Sequence, residues 1–437
     1  MTTAIATQLE LITDTELIKL NNADEYWQKL DRVLDDSKNS QPYLLFPHNI
    51  EALAEIVKQA AQQQWRILIC GNATKIDWGK ITQNIQLVVS TQKCDRLIEH
   101  AVGDLTVTVE AGMKLVDLQA KLRSHNQFLP IDANYNEATL GGIVATADTG
   151  SCRQRYGGVR DLLLGLSFVR TDGEIAKAGG RVVKNVAGYD LMKLFTGGYG
   201  TLGIITQLTF RTYPLITNSQ TLVLTGEPKE IAKISQTIRN SGLTPTAMDL
   251  LSSQVVSKLG LDKSTGLILR WQTITESIEQ QVSEVKAIAQ QLDLTSNTYR
   301  DETEEKLWQD CTDIINTVHS PAAITCKIGI APAAAVSLFE KINNYSVLAR
   351  IYASSGIGQL QIESDSNLDL KMQLDYLNNL RSHCQQNQGF LTILNAPKEL
   401  KQQADIWGYS GNGIKTMQAI KNKFDPQNIL NPGRFIV

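Results

Sequence analysis

The sequence predicts an α+β protein with at least two domains, and three observations lead to that fold class. Roughly the first half alternates short strand-like and helix-like segments, separated by clustered glycines. From about residue 218 glycine thins out and strand–helix–strand units recur with short connections. That pattern suits an antiparallel sheet covered by helices on one face. The closing stretch, GNGIKTMQAIKNKFDPQNILNPGRFIV (411–437), reads as one helix followed by an extended segment marked by Pro and Gly.

The individual elements follow from local pattern. IEALAEIVKQAAQQQ (50–64) puts Leu53, Ile56, Val57, Ala60 and Ala61 on one helical face, and RILIC (66–70) and IQLVVS (85–90) read as short strands. LTVTVEAG (105–112) alternates like a half-exposed strand, MKLVDLQAKLRSH (113–125) returns to helical spacing, and QFLPID (127–132) ends in a Pro-marked turn. LLLGLSFVRTDGEIAKAGG (162–180) is a hairpin candidate, with Asp172-Gly173 at its turn. YDLMKLF (189–195) is helical in spacing and LGIITQLTFRTYP (202–214) is a strand closed by Pro214. Beyond 218, TLVLTGE, GLILRWQ, AAITCKIGIAP, SVLARIYAS, GIGQLQIES and FLTILNAP supply strands. Helices are predicted over 228–242, 277–292, 333–342 and 367–387, the second with Ile278, Val282, Val285 and Ile288 on one stripe.

Composition excludes several function classes. The chain has 437 residues, 42% hydrophobic and 20% charged, with a net charge of −3 that gives no reason to expect a nucleic-acid partner. Six cysteines (70, 94, 152, 311, 326, 384) form no C-x-x-C pair, and five histidines (48, 100, 125, 319, 383) form no H-x-H or H-x-x-x-H pair. No metal or iron–sulfur site is expected. Sparse cysteine fits a reducing compartment, so the localisation expected is cytoplasmic. The N-terminus, acidic at Glu10, Asp14 and Glu16, does not read as a secretory signal. No apolar run approaches the ~20 residues of a transmembrane segment.

GGYGTLGIIT (197–206) holds Gly198, Gly200 and Gly203 at the spacing G-x-G-x-x-G. A nicotinamide site needs a strand before these glycines and a helix after them, so that the helix N-terminus meets the pyrophosphate. Here the predicted order is reversed, and the NAD reading fails on context. The glycines then either permit a tight helix-to-strand connection or let the backbone at 203–205 lie against a flat cofactor ring. Two further clusters stand out. CGNATK follows a strand and suits a concavity of successive N–H groups. ATLGGIVATADTG combines Gly141, Gly142 and Gly150 with the hydroxyls of Thr139, Thr146 and Thr149. Either cluster alone is more often a structural turn.

Taken in order, CGNATK, LPIDANYNEATLGGIVATADTG, RYGGVRDLLLGL, TDGEI and GYDLMKLFTGGYGTLGIIT resemble the FAD-binding domain of the vanillyl-alcohol oxidase / para-cresol methylhydroxylase (PCMH-type) family. FDPQNILNPGR (424–434) resembles the end of its 2-hydroxy-acid dehydrogenase branch. VVKNVAGYDLMKLF is most similar to the FAD-binding subunits of glycolate oxidases (glycolate dehydrogenases). The resemblance implies a two-subdomain FAD-binding domain (38–217) after an N-terminal extension (1–37). It also implies a cap domain (218–410) and a C-terminal helix and tail (411–437) returning to the FAD domain. Gly71, Asn72, Ala73, Thr74 and Lys75 would hold the FAD pyrophosphate. Pro130, Thr139, Leu140, Gly141, Gly142, Ala145 and Thr146 would continue the cradle, and Gly203, Ile204 and Ile205 would face the adenine or ribose end. Asn431 and Arg434 would bring the tail towards the flavin.

Two departures qualify these implications. Members that attach FAD covalently use a histidine in the first loop; Ala73 and Thr74 stand there, so binding is expected to be non-covalent. Cys70 and Cys152 adjoin the loops and read as small buried thiols. Self-sufficient members of the branch also carry a paired-histidine segment in the cap, whereas this cap has only His319 and His383. A structural or surface role is the commoner one for His319, and a solvated one is expected for His383. Oxidising a 2-hydroxy acid needs a hydride acceptor, a base and a cation for the carboxylate. Arg270, Arg300 and Arg350 are candidate cations, or structural ion-pair partners; no base is assigned. The implied function is a flavoprotein subunit of a glycolate (2-hydroxy acid) dehydrogenase, working with a second flavin subunit and an iron–sulfur subunit, which would make it peripheral to a membrane if they are. The alternatives are a self-contained FAD-dependent dehydrogenase and a non-catalytic assembly subunit.

Overall fold

The structure is a computed structural model that describes residues 2–19, 25–35, 41–181, 188–317, 320, 322–342, 346–363 and 369–436. Two compact units emerge. The first comprises Met1–Thr149, Gly157–Leu215 and Tyr409–Val437; the second comprises Gly150–Tyr156 and Ile216–Gly408.

In the first unit, strands β1 (Thr15–Lys19), β2 (Tyr43–Pro47), β3 (Ile67–Cys70) and β4 (Leu87–Ser90) form a sheet in the order β1-β2-β4-β3. β2 and β3 both run parallel to β4. YLLF in β2 is an unbroken apolar run because both faces of the sheet are covered. Tyr43 and Leu45 pack with the helix Ile50–Gln63, and Leu44 and Phe46 pack with Leu30 and Val33. Asn49 caps that helix by accepting the Ala52 amide at 2.8 Å.

β5 (Leu97–Ala101), β6 (Thr106–Glu110), the short β7 (Gln127–Phe128), β8 (Leu163–Val169), β9 (Ile175–Gly179) and β10 (Ile204–Arg211) follow. Five of them pair antiparallel in the order β5-β6-β10-β8-β9, while β7 pairs with β11 (Tyr213–Pro214). The hairpin expected at Asp172-Gly173 joins β8 to β9, with Gly173 at φ +85°. The tail joins this unit through the first sheet. Leu430 bridges to Ile67 in parallel, and the Ile67 amide donates to Ile429 O at 2.7 Å. Buried Lys421 braces the turn by donating to Thr201 O (2.9 Å), Leu430 O (3.0 Å) and Asp425.

The second unit holds β12 (Ser219–Gly226), β13 (Ala247–Leu251), β14 (Thr265–Gln272), β15 (Thr295–Tyr299), β16 (Ile324–Gly329), β17 (Val347–Tyr352), β18 (Ile357–Ile362) and β19 (Phe390–Asn395). They form one antiparallel sheet in the order β15-β12-β14-β13-β17-β18-β16-β19. Helices Pro228–Arg239, Thr275–Gln291, Ala335–Ile342 and Leu370–Gln386 cover one face, burying Leu222, Leu224, Leu267, Leu269, Trp271 and their neighbours. Each such aliphatic side chain contributes about 1.5–3 kcal/mol by leaving water.

The other face is not bare, contrary to the expectation from sequence. Helices Ser253–Lys258 and Asp301–Asn316 lie on it and bury Val255, Val256, Leu307, Trp308, Cys311 and Ile315 against Val223, Ile268 and Leu348. Strand alternation puts apolar side chains on both faces, so both need cover.

Candidate functional site

A cleft in the first unit is walled mainly by four separate stretches of chain. The first is the loop after β3. Tyr26 and Ser90 donate their hydroxyls to Gly71 O at 3.2 and 2.8 Å, fixing where the loop begins. Ala73 then adopts φ +55°, a left-handed conformation costly for a residue with a Cβ. The backbone amides of Asn72, Ala73, Thr74 and Lys75 donate to no acceptor among the described residues. Successive unspent N–H groups around a left-handed residue form a concavity suited to an anion.

The second wall is the helix Leu140–Thr146, and it behaves differently. Leu140 and Gly141 donate to Met113 O and Ala111 O at 2.8 Å, and Gly142 donates to its cap, Thr139 Oγ1, at 3.3 Å. Thr146 donates its hydroxyl to Gly142 O at 2.7 Å. This platform therefore offers shape, not free amides. The third wall runs through Tyr199, Gly200 and Gly203–Ile205, and is tied to the second by Tyr199 N donating to Ala145 O at 2.8 Å. Burial raises the Tyr199 pKa, so its hydroxyl stays neutral. The fourth wall is the tail. Asn431 accepts the Ile69 amide at 2.7 Å and donates to Tyr199 O at 2.6 Å, which places Arg434 beside the first loop.

Thirteen of the expected positions line this one cleft: Gly71, Asn72, Ala73, Thr74, Lys75, Thr139, Gly141, Gly142, Ala145, Thr146, Gly203, Ile204 and Ile205. Pro130 and Leu140 do not. Pro130 is buried in its turn, and helical geometry points the fully buried Leu140 into the core. Ile69, Cys70, Ile76, Thr91, Tyr199 and Gly200 also line it and were not assigned from sequence. Only Gly200 carried a signal, as the middle glycine of the G-x-G-x-x-G spacing.

That spacing does sit between the helix Leu191–Phe195 and β10. The residues 182–187 of VVKNVAGYDLMKLF, like His319, lie outside the described residues.

The glycines differ in what they make room for. A Cβ on Gly71 would collide with Thr139, and one on Gly141 would lie 2.8 Å from the Ala111 Cβ. On Gly203 it would meet Phe168 Cδ2 at 2.9 Å and Val169 O at 3.1 Å. Gly203 is thus required by packing against β8, while its backbone lines the cleft. Gly203→Ala is expected to cost about 1–3 kcal/mol by overpacking; equal chemical denaturation midpoints for variant and wild type would contradict this. Gly142 is the exception: a Cβ there meets only Thr139 Oγ1, at 3.2 Å.

Several chemical candidates resolve into structural roles. Lys75 does not present a free ammonium, since its Nζ lies 2.9 Å from Asp148, with both side chains at most 4% exposed. Arg350 pairs with Asp249 at 2.9 Å and donates to Ser151 Oγ at 2.8 Å. Burial acts to lower its pKa, but Asp249 outweighs this and holds it above the usual value. Arg270 pairs with Glu304 at 3.0 Å, whereas Arg300 donates to neutral Gln220. His383 is not simply solvated: its Nε2 is buried without a partner among the described residues, and burial, then Lys341, lowers its pKa. Burial pushes the Cys70 thiol up to about 12, so the thiolate is scarce at neutral pH; Cys152 is only half-buried. Among the described residues no group of three or more His, Cys, Asp or Glu side chains is placed to hold a metal.

Residues 42–179 match the FAD binding domain family, and residues 407–435 match the C-terminal domain of FAD linked oxidases. The chain is similar to the glycolate oxidase subunit GlcD of Bacillus subtilis, 25% identical with 90% of this chain and 88% of that protein covered. Against the glycolate oxidase subunit GlcE of Escherichia coli it is 36% identical, over 38% of this chain and 47% of that one. In fold it matches p-cresol methylhydroxylase with a TM-score of 0.75 at 14% identity, covering 99% of this chain and 97% of the other. The cleft fits the cofactor: unspent amides lie beside a buried cation, and a side-chain-free position at Gly142 opens inward. The chain carries an FAD binding domain over residues 42–179 and the C-terminal domain of FAD linked oxidases over 407–435, shares the fold of p-cresol methylhydroxylase, and is an FAD-dependent oxidoreductase.

Proposed function

We propose that this protein is the FAD-binding subunit of a multi-subunit dehydrogenase that oxidises glycolate or a close 2-hydroxy acid, binding its flavin without a covalent bond. The observation carrying this reading is the cleft itself, in which three glycine-bearing bends and the tail surround one volume with free amides on one side. Similarity to two glycolate oxidase subunits, one matched over nearly its whole length, supports the substrate class. The partners proposed are a second flavin subunit and an iron–sulfur subunit. The complex is placed in the cytoplasm, peripheral to a membrane through those partners. No helix among the described residues is long and apolar enough to cross a membrane.

In this reading residues 38–217 form the FAD-binding domain, 218–410 the cap, and 411–437 the tail that returns to the FAD domain. When bound, FAD supplies a hydride acceptor. The amides of Asn72–Lys75 hold the diphosphate, Gly142 leaves room for the cofactor, and Ile204 and Ile205 exclude water from one wall. A second reading, a self-contained dehydrogenase, is favoured by one observation. The D-lactate dehydrogenase [cytochrome] of Arabidopsis thaliana aligns with 99% of this chain at 24% identity.

Anaerobic titration of the purified chain with glycolate and D-lactate, followed by flavin absorbance, separates the two. Bleaching only when partner subunits are present is the expected result. Bleaching by either acid with the chain alone overturns the subunit reading, and a colourless protein that cannot be reconstituted with FAD overturns both.

A further inference from the structure

Among the described residues, Arg434 is the one ionisable residue of the cleft wall that carries a charge with no opposite charge bound to it. Lys75, the other cation there, is neutralised by Asp148. Arg434 is 4% exposed and donates Nη1 to Lys80 O at 2.9 Å and Nη2 to Ile76 O and Trp78 O. These carbonyls are neutral. Asp77 is within electrostatic influence but beyond ion-pair reach, and its carboxylate lies 3.8 Å from Arg32.

A guanidinium carries five N–H donors in a planar fork. Three serve the carbonyls, so the Nε proton and the second Nη1 proton have no acceptor among the described residues. Burial lowers the pKa to about 10, opposed by Asp77 and Tyr199, and the group stays protonated at neutral pH. A buried cation with unspent donors is costly unless an anion completes it. The free amides of Asn72–Lys75 belong to the same cleft, so two independent features call for the same negative group.

We propose that Arg434 is the charge-neutralising residue for the cofactor's diphosphate, acting with the amides of the first loop. The proposal rests on the FAD reading and adds to it the residue that compensates the charge. The tail is then part of the binding site, delivered across the sequence by the Leu430–Ile67 bridge and by Asn431. A planar fork suits a phosphate oxygen pair better than an ammonium does.

The test uses the full chain and the variants Arg434→Gln and Arg434→Lys, with FAD and riboflavin as probes in fluorescence titrations at several salt concentrations. Arg434→Gln is expected to weaken FAD at least tenfold, with Arg434→Lys in between. Riboflavin, which lacks phosphate, should change less than threefold. The salt dependence of FAD binding should also flatten in Arg434→Gln, because a charge contact has been lost. FAD binding by Arg434→Gln within twofold of wild type overturns the proposal. So does an equal loss for riboflavin, which assigns Arg434 to bracing the loop alone. Wild-type protein that binds no FAD at all overturns the FAD reading and this proposal together.

Discussion

Gly142→Val is expected to strip the protein of flavin while leaving its fold intact. Among the atoms counted around a Cβ built on Gly142, only Thr139 Oγ1 lies within 4 Å, at 3.2 Å, and the residue lines the cleft, so the added side chain competes with the cofactor for that space. The position is in the first turn of a helix, where valine restricts the unfolded backbone more than glycine does. Apoprotein stability should therefore hold or rise slightly. The cofactor meets a branched side chain in a rigid wall, and overpacking of about 3 kcal/mol corresponds to roughly a hundredfold loss of affinity. The measurement is the ratio of flavin absorbance to protein absorbance, alongside a thermal melt of the apoprotein. Full flavin occupancy in the variant would move the cofactor away from this helix.

Lys75→Met is expected to destabilise the first unit by about 3–5 kcal/mol, the usual cost of removing one member of a buried ion pair. Among the described residues, Asp148 would keep only Asn134 as a hydrogen-bond partner, with Asn134 Nδ2 at 2.7 Å from Oδ1, and its carboxylate is almost wholly buried. Unfolding should shift down by about 10 °C for a unit of this size. Asp148→Asn should do comparable harm by leaving the ammonium alone. The double variant Lys75→Met, Asp148→Leu should regain most of the loss, because two matched apolar groups need no counter-charge. A single variant that melts with wild type would show that the pair is not closed in solution.

Much of the scaffold was legible because local chemistry dictates it. The run YLLF, the RILIC strand and the Asp172-Gly173 turn state their conformations through burial on both faces and through a positive φ that glycine permits. Thirteen of fifteen expected site positions fall on one cleft because the glycine clusters occupy bends between well-defined elements. Pro130 and Leu140 lie within the same segments but off the cleft wall, because which way a residue faces depends on the helix phase and the packing around it. The helix Ser253–Lys258 and strand β13 were not read at all, being short and lacking a distinctive period.

The sequence by itself determined the order of the elements, the reversed context that rules out a nicotinamide site, and the family whose motifs appear in order. It could not tell which charges cancel. Lys75 finds Asp148 and Arg350 finds Asp249, while Arg434 donates only to carbonyls among the described residues. It could not tell which glycines a Cβ would crowd, since Gly203 and Gly142 look alike in the sequence, yet a Cβ on Gly203 meets Phe168 and Val169 and one on Gly142 meets only Thr139 Oγ1. Those choices belong to the tertiary structure. Electrostatic and steric complementarity act between atoms that meet in space, and here the partners stand tens to hundreds of residues apart along the chain.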